Sequence, residues 1–350
     1  MQVFRTTYNH SNNPYAVSRL SSGEELLWDN AGNLCHREDK SRHQHFYWTE
    51  DNRMQAYYSQ QDAVNTVAYY RYDASGERDL KLLGVVESVK IQAVDYRIPI
   101  LKPKPGKEYS DAVLYASPLM TVNSTGYTKH YFAESERILS NVAGGRSRPL
   151  VPVDLELKSI TGEEPAELAA NFMVFVGDYL KQASGGTCSP SDINYIAHIQ
   201  KFPPLATIFA DRVAADYRDE RYFYHSDHLS GASMITNVGG GLHQTLAYCP
   251  YGEPLVDIKN GNYDERYQFT GYEKDGESGL NYAHSRYDWD YGGIFISTDP
   301  MWFKYPNLTS YAYCGNNPIS YIDPDGRDAI LIVFPDYLVD PDLHIKRTIP

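Results

Sequence analysis

The chain has 350 residues, which is enough for one large domain or two ordinary ones. Its formal net charge of −13 would repel phosphate backbones, so we expect no nucleic-acid partner. Four scattered cysteines lack the spacing of metal ligands or of a disulfide framework, which favours a reduced, cytoplasmic state. We expect no signal peptide and no membrane span, because the first residues lack an apolar core and no apolar run approaches ~20 residues, and we predict neither a metal nor a cofactor.

Tyrosine is the unusual residue, with 31 copies against 12 phenylalanines and 4 tryptophans. It favours half-buried strands, because its ring packs while its hydroxyl stays hydrogen-bonded. An aromatic strand followed by a turn recurs at residues 28–34, 47–54, 70–78, 131–138, 222–227 and 248–253. Alternating aromatic residues lie on one face of a strand, and Asp-x-x-Gly reverses the chain. Each repeat therefore predicts one β-hairpin, which must stack beside its neighbours to bury its face.

These repeats predict a mainly β fold whose hairpins form a curved or closed sheet. An ordinary antiparallel sheet with common turns is the simpler alternative, since Asp-Gly turns occur in many β proteins. The repeats pause between about 154 and 217, where apolar residues at helical spacing follow Glu163-Glu164-Pro165. We predict one helix there, a second from Ser189-Pro190 and a third over about 205–217. The region is interpreted as a helical insertion packed on the sheet.

The aromatic pattern returns at Tyr222, and a denser set of motifs then runs to Arg327. It consists of Tyr224-His225-Ser226-Asp227-His228-Leu229, Tyr251-Gly252-Glu253, Tyr267-Gln268-Phe269-Thr270-Gly271-Tyr272, Gly279-Leu280-Asn281-Tyr282, Asp299-Pro300, Asn316-Asn317-Pro318 and Tyr321-Ile322-Asp323-Pro324-Asp325-Gly326. In order and density this set resembles the Rhs repeat-associated core of the Rhs, or YD-repeat, family. The weaker repeats upstream are similar to the YD repeats of the same family.

This resemblance implies a fold and a role. Members of the family wind a long β sheet into a hollow shell that encloses a variable C-terminal toxin. They include polymorphic toxins used in competition between bacteria, effectors of type VI secretion systems and the C subunits of insecticidal toxin complexes. The chain would then be made in the bacterial cytoplasm and exported by a specialised secretion system. Its expected partners are its own C-terminal toxin segment, a secretion-system component and an immunity protein.

The resemblance also suggests four regions. Residues 1–153 would form YD-repeat hairpins, 154–220 the helical insertion, 221–327 the Rhs-associated core with its self-cleavage region, and 328–350 the start of a toxin domain. The apolar run 329–334 is interpreted as a buried strand that begins this last region. The last region contains no recognisable catalytic set of its own.

Many members of the family cut themselves between core and toxin, a reaction attributed to aspartates of the core. Two neighbouring carboxyls share a proton, so one can activate water while the other protonates the leaving group. An arginine can orient a carboxylate and stabilise developing negative charge. By resemblance, this chain would be a single-turnover aspartyl autoprotease. The catalytic candidates are Asp299, Asp323 and Arg286. The expected cleavage site comprises Gly326, Arg327 and Asp328, with Arg327–Asp328 as the first candidate bond.

The sequence departs from the family at two places near this seam. Arg327 follows the motif's glycine where the family usually has leucine or methionine, and Ile294 replaces an arginine before Phe295. Asp-Pro-Asp-Gly is also a good turn in its own right, because proline fixes φ and glycine accepts positive φ. The alternative function is a surface adhesion or carbohydrate-binding repeat protein without catalysis, whose aromatic faces would stack on sugar rings.

Overall fold

A computed structural model describes residues 6–8, 13–39, 42–61, 64–91, 94–100, 112–123, 126–144, 164–183, 186, 220–261 and 263–331. This part of the chain is mainly β, as predicted. A sheet of 17 strands, called the wall, dominates it. Its strands are β1 Thr6–Thr7, β2 Arg19–Leu20, β3 Glu25–Trp28, β4 Leu34–Glu38, β5 Arg42–Trp48, β6 Met54–Gln61, β7 Val64–Tyr72, β8 Arg78–Ile91, β9 Val94–Ile100, β10 Ala112–Ser117, β11 Met120–Asn123, β12 Gly126–Ala133, β13 Glu136–Gly144, β14 Glu220–Ser226, β15 Ala232–Asn237, β16 Leu242–Tyr248 and β17 Pro254–Lys259.

Strands of the wall pair antiparallel, and nearly all of them pair with their neighbours in sequence. The exception is β8, which pairs with β7 along one edge and with two strands along the other. Its residues 80–82 pair with β10 and its residues 85–91 pair with β9. The prediction of a continuous hairpin sheet is confirmed.

The hairpin turns of the wall share one geometry. Between β7 and β8 the Gly76 N–H donates to the Asp73 carbonyl at 3.0 Å, and the Asp73 N–H donates to the Glu77 carbonyl at 2.8 Å. Asp73 Oδ1 accepts the backbone N–H groups of Ser75 and Glu77 at 2.8 and 3.0 Å. The same two backbone bonds recur in the turns 29–33, 49–53, 227–231, 237–241 and 249–253. The predicted Asp-x-x-Gly sequence stands in two of these six turns, 29–33 and 73–77, and the same backbone reversal forms with other residues in the remaining four.

Residues 263–326, called the inner segment, do not continue the aromatic strand pattern that we predicted to return at Tyr222. They form the small sheet β18 Glu273–Asp275, β19 Leu280–Ala283, β20 Arg286–Trp289 and β21 Ile294–Phe295, and the strand β22 Tyr321–Ile322. All four residues of β19 and of β20 are buried, because both faces are covered, so their sequence does not alternate.

The inner segment lies on one face of the wall and contacts strands from both of its halves. Aromatic rings make part of this contact, with centroid distances of 4.7 Å for Trp28–Tyr311, 6.1 Å for Tyr70–Tyr287 and 5.6 Å for Tyr248–Phe269. Backbone bonds add to it, since the Leu34 N–H donates to the Ile296 carbonyl at 2.9 Å. The inner segment is therefore packed against this face of the wall, and tyrosines buried between them serve packing.

The helix α1, Glu164–Ala183, lies on the opposite, outer face of the wall. Phe175 packs on Tyr47 and Phe172 on Tyr69, with ring centroids 4.7 and 5.6 Å apart. Both phenylalanines were predicted at helical spacing, and both are buried. The helices predicted from Ser189 and over 205–217 lie outside the described residues. Within the described residues no helix is both long and apolar enough to cross a membrane.

The predicted apolar strand 329–334 is described only at its start. There β23, Ile330–Leu331, pairs antiparallel with β22. The Ile330 side chain is 52% exposed, so this part is not the buried strand that we predicted. It adds to the edge of the inner segment instead, because β22 offers it an unpaired edge.

Candidate functional site

The second Asp-Pro motif forms a tight turn against the hairpin between β19 and β20. Its four residues are Asp323-Pro324-Asp325-Gly326, and the Ser285 N–H donates to the Asp325 carbonyl at 3.0 Å. Gly326 has a φ of +71°, and a Cβ there would come within 2.4 Å of the Ala283 carbonyl oxygen. The turn therefore requires glycine, because neighbouring backbone leaves no room for a side chain.

Arg286 lies at the centre of the predicted site and is 2% exposed. Its Nη2 donates to Asp323 Oδ2 at 2.9 Å, and its Nε donates to the Gly326 carbonyl at 2.5 Å. Its Nη1 lies 3.5 Å from Asp299 Oδ2. The guanidinium carbon also sits 3.6 Å from the centre of the Phe295 ring. The structure thus brings all three predicted catalytic residues to one buried charge.

Both aspartates are shielded from water. The side chains of Asp299 and Asp323 are 12% and 2% exposed. Asp299 Oδ1 accepts the Met301 N–H at 2.6 Å, and Asp323 Oδ1 accepts the Arg327 N–H at 2.9 Å. Burial raises the pKa of both carboxyls above the usual value, while Arg286 opposes the shift. The charge of Asp299 also contributes to raising the pKa of Asp323.

The peptide group between Gly326 and Arg327 touches two members of this cluster. Arg286 holds its carbonyl oxygen and Asp323 accepts its N–H, so one peptide bond is polarised at both ends. The Arg327 side chain is held separately, since its Nε donates to Ser285 Oγ at 2.6 Å. This contact holds the side chain of Arg327, which stands where the Rhs family usually has leucine or methionine.

Asp328 is tied to the loop that follows the first Asp-Pro motif. Lys304 Nζ donates to its carboxylate at 2.7 Å, and the Tyr305 hydroxyl donates at 2.9 Å. The bond from Lys304 lowers the pKa of Asp328 below its usual value. The chain is therefore held on both sides of Arg327, by Asp323 before it and by this loop after it. All six residues predicted for the site and the seam lie together.

One buried acid near this cluster was not predicted. Asp288 lies two residues after Arg286 in β20, and its Oδ2 accepts the Asn281 amide at 2.9 Å. Its Oδ1 has no hydrogen-bond partner within the described part of the chain. Burial raises the pKa of Asp288 to about 8. No sequence signal marked it, because an Arg-x-Asp pair is typical of an exposed strand face.

A second group of buried charges joins the wall to the inner segment, and it was also not predicted. Arg78 of β8 donates to Asp275 at 2.6 Å and to Glu273 at 2.8 Å. Lys81 donates to Asp275 at 2.8 Å. Burial alone would raise the pKa of Glu273, but Arg78 and Lys81 lower it far below its usual value. The partners are almost 200 residues apart, so no local pattern could reveal them.

Sequence comparison finds relatives for about a third of the chain. The tRNA3(Ser)-specific nuclease WapA of Bacillus spizizenii and the tRNA nuclease WapA of Bacillus subtilis are each 32% identical over 122 residues. These residues are 33% of this chain and 5% of either nuclease. Salivary gland surface protein 1 of Aedes aegypti is 35% identical over 121 residues, 33% of this chain and 3% of that protein. No family model matches.

Among solved structures, the TcdB2-TccC3-Cdc42 complex aligns with 92% of this chain and 14% of its own, at 13% identity and a TM-score of 0.47. The TcdB2-TccC3 complex aligns with 87% of this chain and 13% of its own, at 13% identity and a TM-score of 0.45. The WapA sequence matches support a relation to Rhs-type toxin proteins and do not single out the core segment.

Proposed function

We propose that this chain is part of an Rhs-type toxin, in which a β wall holds an inner segment that cuts its own backbone once near Arg327. The observation that carries the proposal is the buried Arg286, which joins Asp299, Asp323 and the Gly326 carbonyl. The WapA matches support the toxin-related role. In this proposal the wall encloses a C-terminal toxin, which the cut releases from the wall after export from a bacterium.

The proposed reaction is hydrolysis of one peptide bond. The ionised member of the Asp299–Asp323 pair takes a proton from water, and the oxygen of that water attacks the carbonyl carbon. Arg286 stabilises the negative charge that develops on the carbonyl oxygen. The protonated member then gives its proton to the amide nitrogen as the C–N bond breaks. The products are a new carboxyl terminus and a new amino terminus.

Two neighbouring bonds are candidates for the cut. The family resemblance points to Arg327–Asp328. The contacts of Arg286 and Asp323 favour Gly326–Arg327, because both residues touch that peptide group. A carboxylate that accepts the N–H of this bond is also well placed to return a proton to the same nitrogen. The two cuts give fragments that differ by one arginine, so a mass measurement distinguishes them.

The cleavage is tested by the intact mass of the purified chain over time. Wild type should yield two fragments, with the second beginning at Arg327 or at Asp328. Asp299→Asn and Asp323→Asn should slow the cut by about 100-fold or more, since each removes an acid–base group. Asp73→Asn is the matched control, because Asp73 caps a hairpin turn in the wall and should leave the rate unchanged. A wild-type chain that keeps its full-length mass excludes self-cleavage.

A surface-binding role is the second candidate, and the match to an Aedes aegypti protein named for a gland surface favours it. In that case the wall would present a binding face, and the Arg286 cluster would only stabilise the Asp-Pro turn. A glycan array probed with the purified chain tests this role. Specific glycan binding by a chain that never cleaves would favour it, whereas cleavage without glycan binding would favour the toxin.

A further inference from the structure

Four potential ligand side chains lie on one face of the hairpin between β4 and β5. His36 and Glu38 are two residues apart on β4, and His43 and His45 are two apart on β5. The register places His36 opposite His45 and Glu38 opposite His43. Since side chains alternate along a strand, all four point to the same side of the sheet.

This side is the outer face of the wall. The residues between them in each strand, Arg37 and Gln44, are buried and point inward, with Arg37 4.5 Å over the Trp289 ring of the inner segment. Glu38 and His43 are 45% and 46% exposed in their side chains, so an ion from solvent can reach them. The group is thus remote from the Arg286 cluster, which lies within the inner segment.

The ligand atoms are close enough to share one ion. His36 Nε2 lies 3.2 Å from Glu38 Oε2, and His43 Nδ1 lies 3.1 Å from Glu38 Oε1. One ligand atom from each of these residues can be chosen so that all lie within 4.8 Å of one another. In a tetrahedral zinc site with bonds near 2.0–2.1 Å, ligand atoms are about 3.3 Å apart. The two histidine–carboxylate separations, 3.2 and 3.1 Å, are close to this spacing.

We propose that this hairpin binds one divalent transition-metal ion, Zn²⁺ before others, through His36 Nε2, His43 Nδ1 and one oxygen of Glu38. Two imidazoles with one carboxylate form a donor set that suits zinc and leaves a fourth position to water. Imidazole also binds Cu²⁺ and Ni²⁺, whereas Mg²⁺ and Ca²⁺ prefer oxygen ligands. The proposal is independent of self-cleavage.

His45 is assigned as a positioning residue. Its Nδ1 lies 3.4 Å from His36 Nδ1, on the side of the ring away from Glu38. A proton shared between the two Nδ1 atoms leaves the lone pair of His36 Nε2 free to bind the metal. Residues that hydrogen-bond to metal ligands orient them in this way at many metal sites. The His45 ring is itself stacked on Tyr58, with centroids 5.6 Å apart. Tyr58 in turn contacts Tyr179 of α1, so the helix packs against the residues that support the site.

Simple ion pairing explains the arrangement less well. An exposed His–Glu pair contributes little to stability, and one histidine is enough to form it. Here two imidazoles contact one carboxylate, and the third, that of His45, lies against the His36 ring. The sequence signal of this site is the repetition at period two, His-x-Glu followed by His-x-His, although we predicted no metal from the sequence.

The test is titration of the untagged full chain with Zn²⁺ and with Co²⁺. Calorimetry should show one Zn²⁺ per chain, and Co²⁺ should show the intense visible absorption of a four-coordinate ion. Glu38→Gln and His43→Gln should each weaken binding by about 100-fold or more, since loss of outer partners alone costs 10–100-fold. His225→Gln is the matched control, because His225 lies on another strand and hydrogen-bonds Thr236. This variant should bind Zn²⁺ as tightly as wild type does.

His45→Phe separates positioning from ligation. It should weaken binding by about 10–100-fold while leaving the Co²⁺ spectrum of the saturated protein in its four-coordinate form. Without metal, each variant should melt close to the temperature of wild type, because all the substituted groups lie on the outer face. An unchanged melting temperature shows that weaker binding is not caused by unfolding. Absence of stoichiometric Zn²⁺ binding by wild type overturns the proposal, as does binding that survives both Glu38→Gln and His43→Gln.

Discussion

Arg286 links the two Asp-Pro motifs through three separate contacts. It neutralises Asp323, approaches Asp299 and holds the Gly326 carbonyl. A buried guanidinium without such partners would destabilise the fold by several kcal/mol, so turn and arginine depend on each other. The same contacts that stabilise the turn also polarise a peptide group. A structural role and the proposed chemical role are therefore compatible at this residue.

Residues of this cluster could be predicted because the motif resemblance gave their positions in sequence. Their contacts could not be, since the closeness of Asp299 and Asp323 depends on how two loops fold onto β20. Asp288 escaped prediction altogether. A strand with both faces buried shows no alternation of apolar and polar residues. An acidic residue in it cannot be told from one on an exposed strand by sequence alone.

Asp288→Asn should stabilise the protein, and increasingly so as pH rises. The usual pKa of an aspartate is 3.8, whereas that of Asp288 in the fold is about 8. Below the first value both states are protonated and the substitution is neutral. Between the two values only the unfolded state ionises, so wild type loses up to about 1.4 kcal/mol per pH unit. Above about 8 the difference levels off.

Thermal melts of both proteins from pH 4 to pH 9 check this prediction. The gap in melting temperature should widen up to about pH 8 and then remain constant. Asp264→Asn is the control, because its side chain is 63% exposed and the substitution should change stability by less than about 0.5 kcal/mol. A gap that does not change with pH would show that Asp288 is ionised in the fold.

At the scale of the element, the hairpins of the wall were the most predictable part. The aromatic strand and the Asp-x-x-Gly turn are local patterns, and the turn bonds join residues at most four apart. Helix α1 was predictable for the same reason, from spacing and a proline near its start. The inner segment was misread because its short strands are shaped by contacts with the wall. Local sequence carries little of that information.

Gly76→Ala should destabilise the hairpin between β7 and β8. Gly76 has a φ of +85°, which costs an alanine about 1–2 kcal/mol. The new Cβ would also meet the flexible end of Arg53 at 2.4 Å, and that side chain can move aside. The expected loss in the free energy of unfolding is therefore about 1–2 kcal/mol, measured by urea denaturation.

Gly276→Ala provides the matched control for this prediction. Gly276 also lies in a turn, but its φ is not positive and nothing stands within 4 Å of the added Cβ. The substitution should be neutral or stabilise by up to about 1 kcal/mol, because it restricts the unfolded chain. Equal effects of the two substitutions would mean that positive φ does not define these turns.

At the scale of the whole molecule, side-chain contacts of two kinds join the wall to the inner segment, in addition to backbone hydrogen bonds. Aromatic packing covers a large area, and the charge cluster around Arg78 fixes one position within it. Apolar packing tolerates small shifts, whereas buried ion pairs demand one arrangement. The cluster therefore specifies how the β18–β19 hairpin sits against β8.

A double-mutant cycle on Arg78 and Asp275 measures this connection. Arg78→Met and Asp275→Asn should each destabilise by about 3–5 kcal/mol, because each takes one charge out of a buried cluster and leaves the other charges with fewer partners. The double variant should lose less than their sum, with a coupling of about 0.5–3 kcal/mol. The same cycle on Arg19 and Glu25, a pair 59% and 63% exposed and 3.8 Å apart, should give less than about 1 kcal/mol. If both cycles gave the same small coupling, the inner segment would be held by apolar packing alone, and its register on the wall would have to be set by the aromatic contacts.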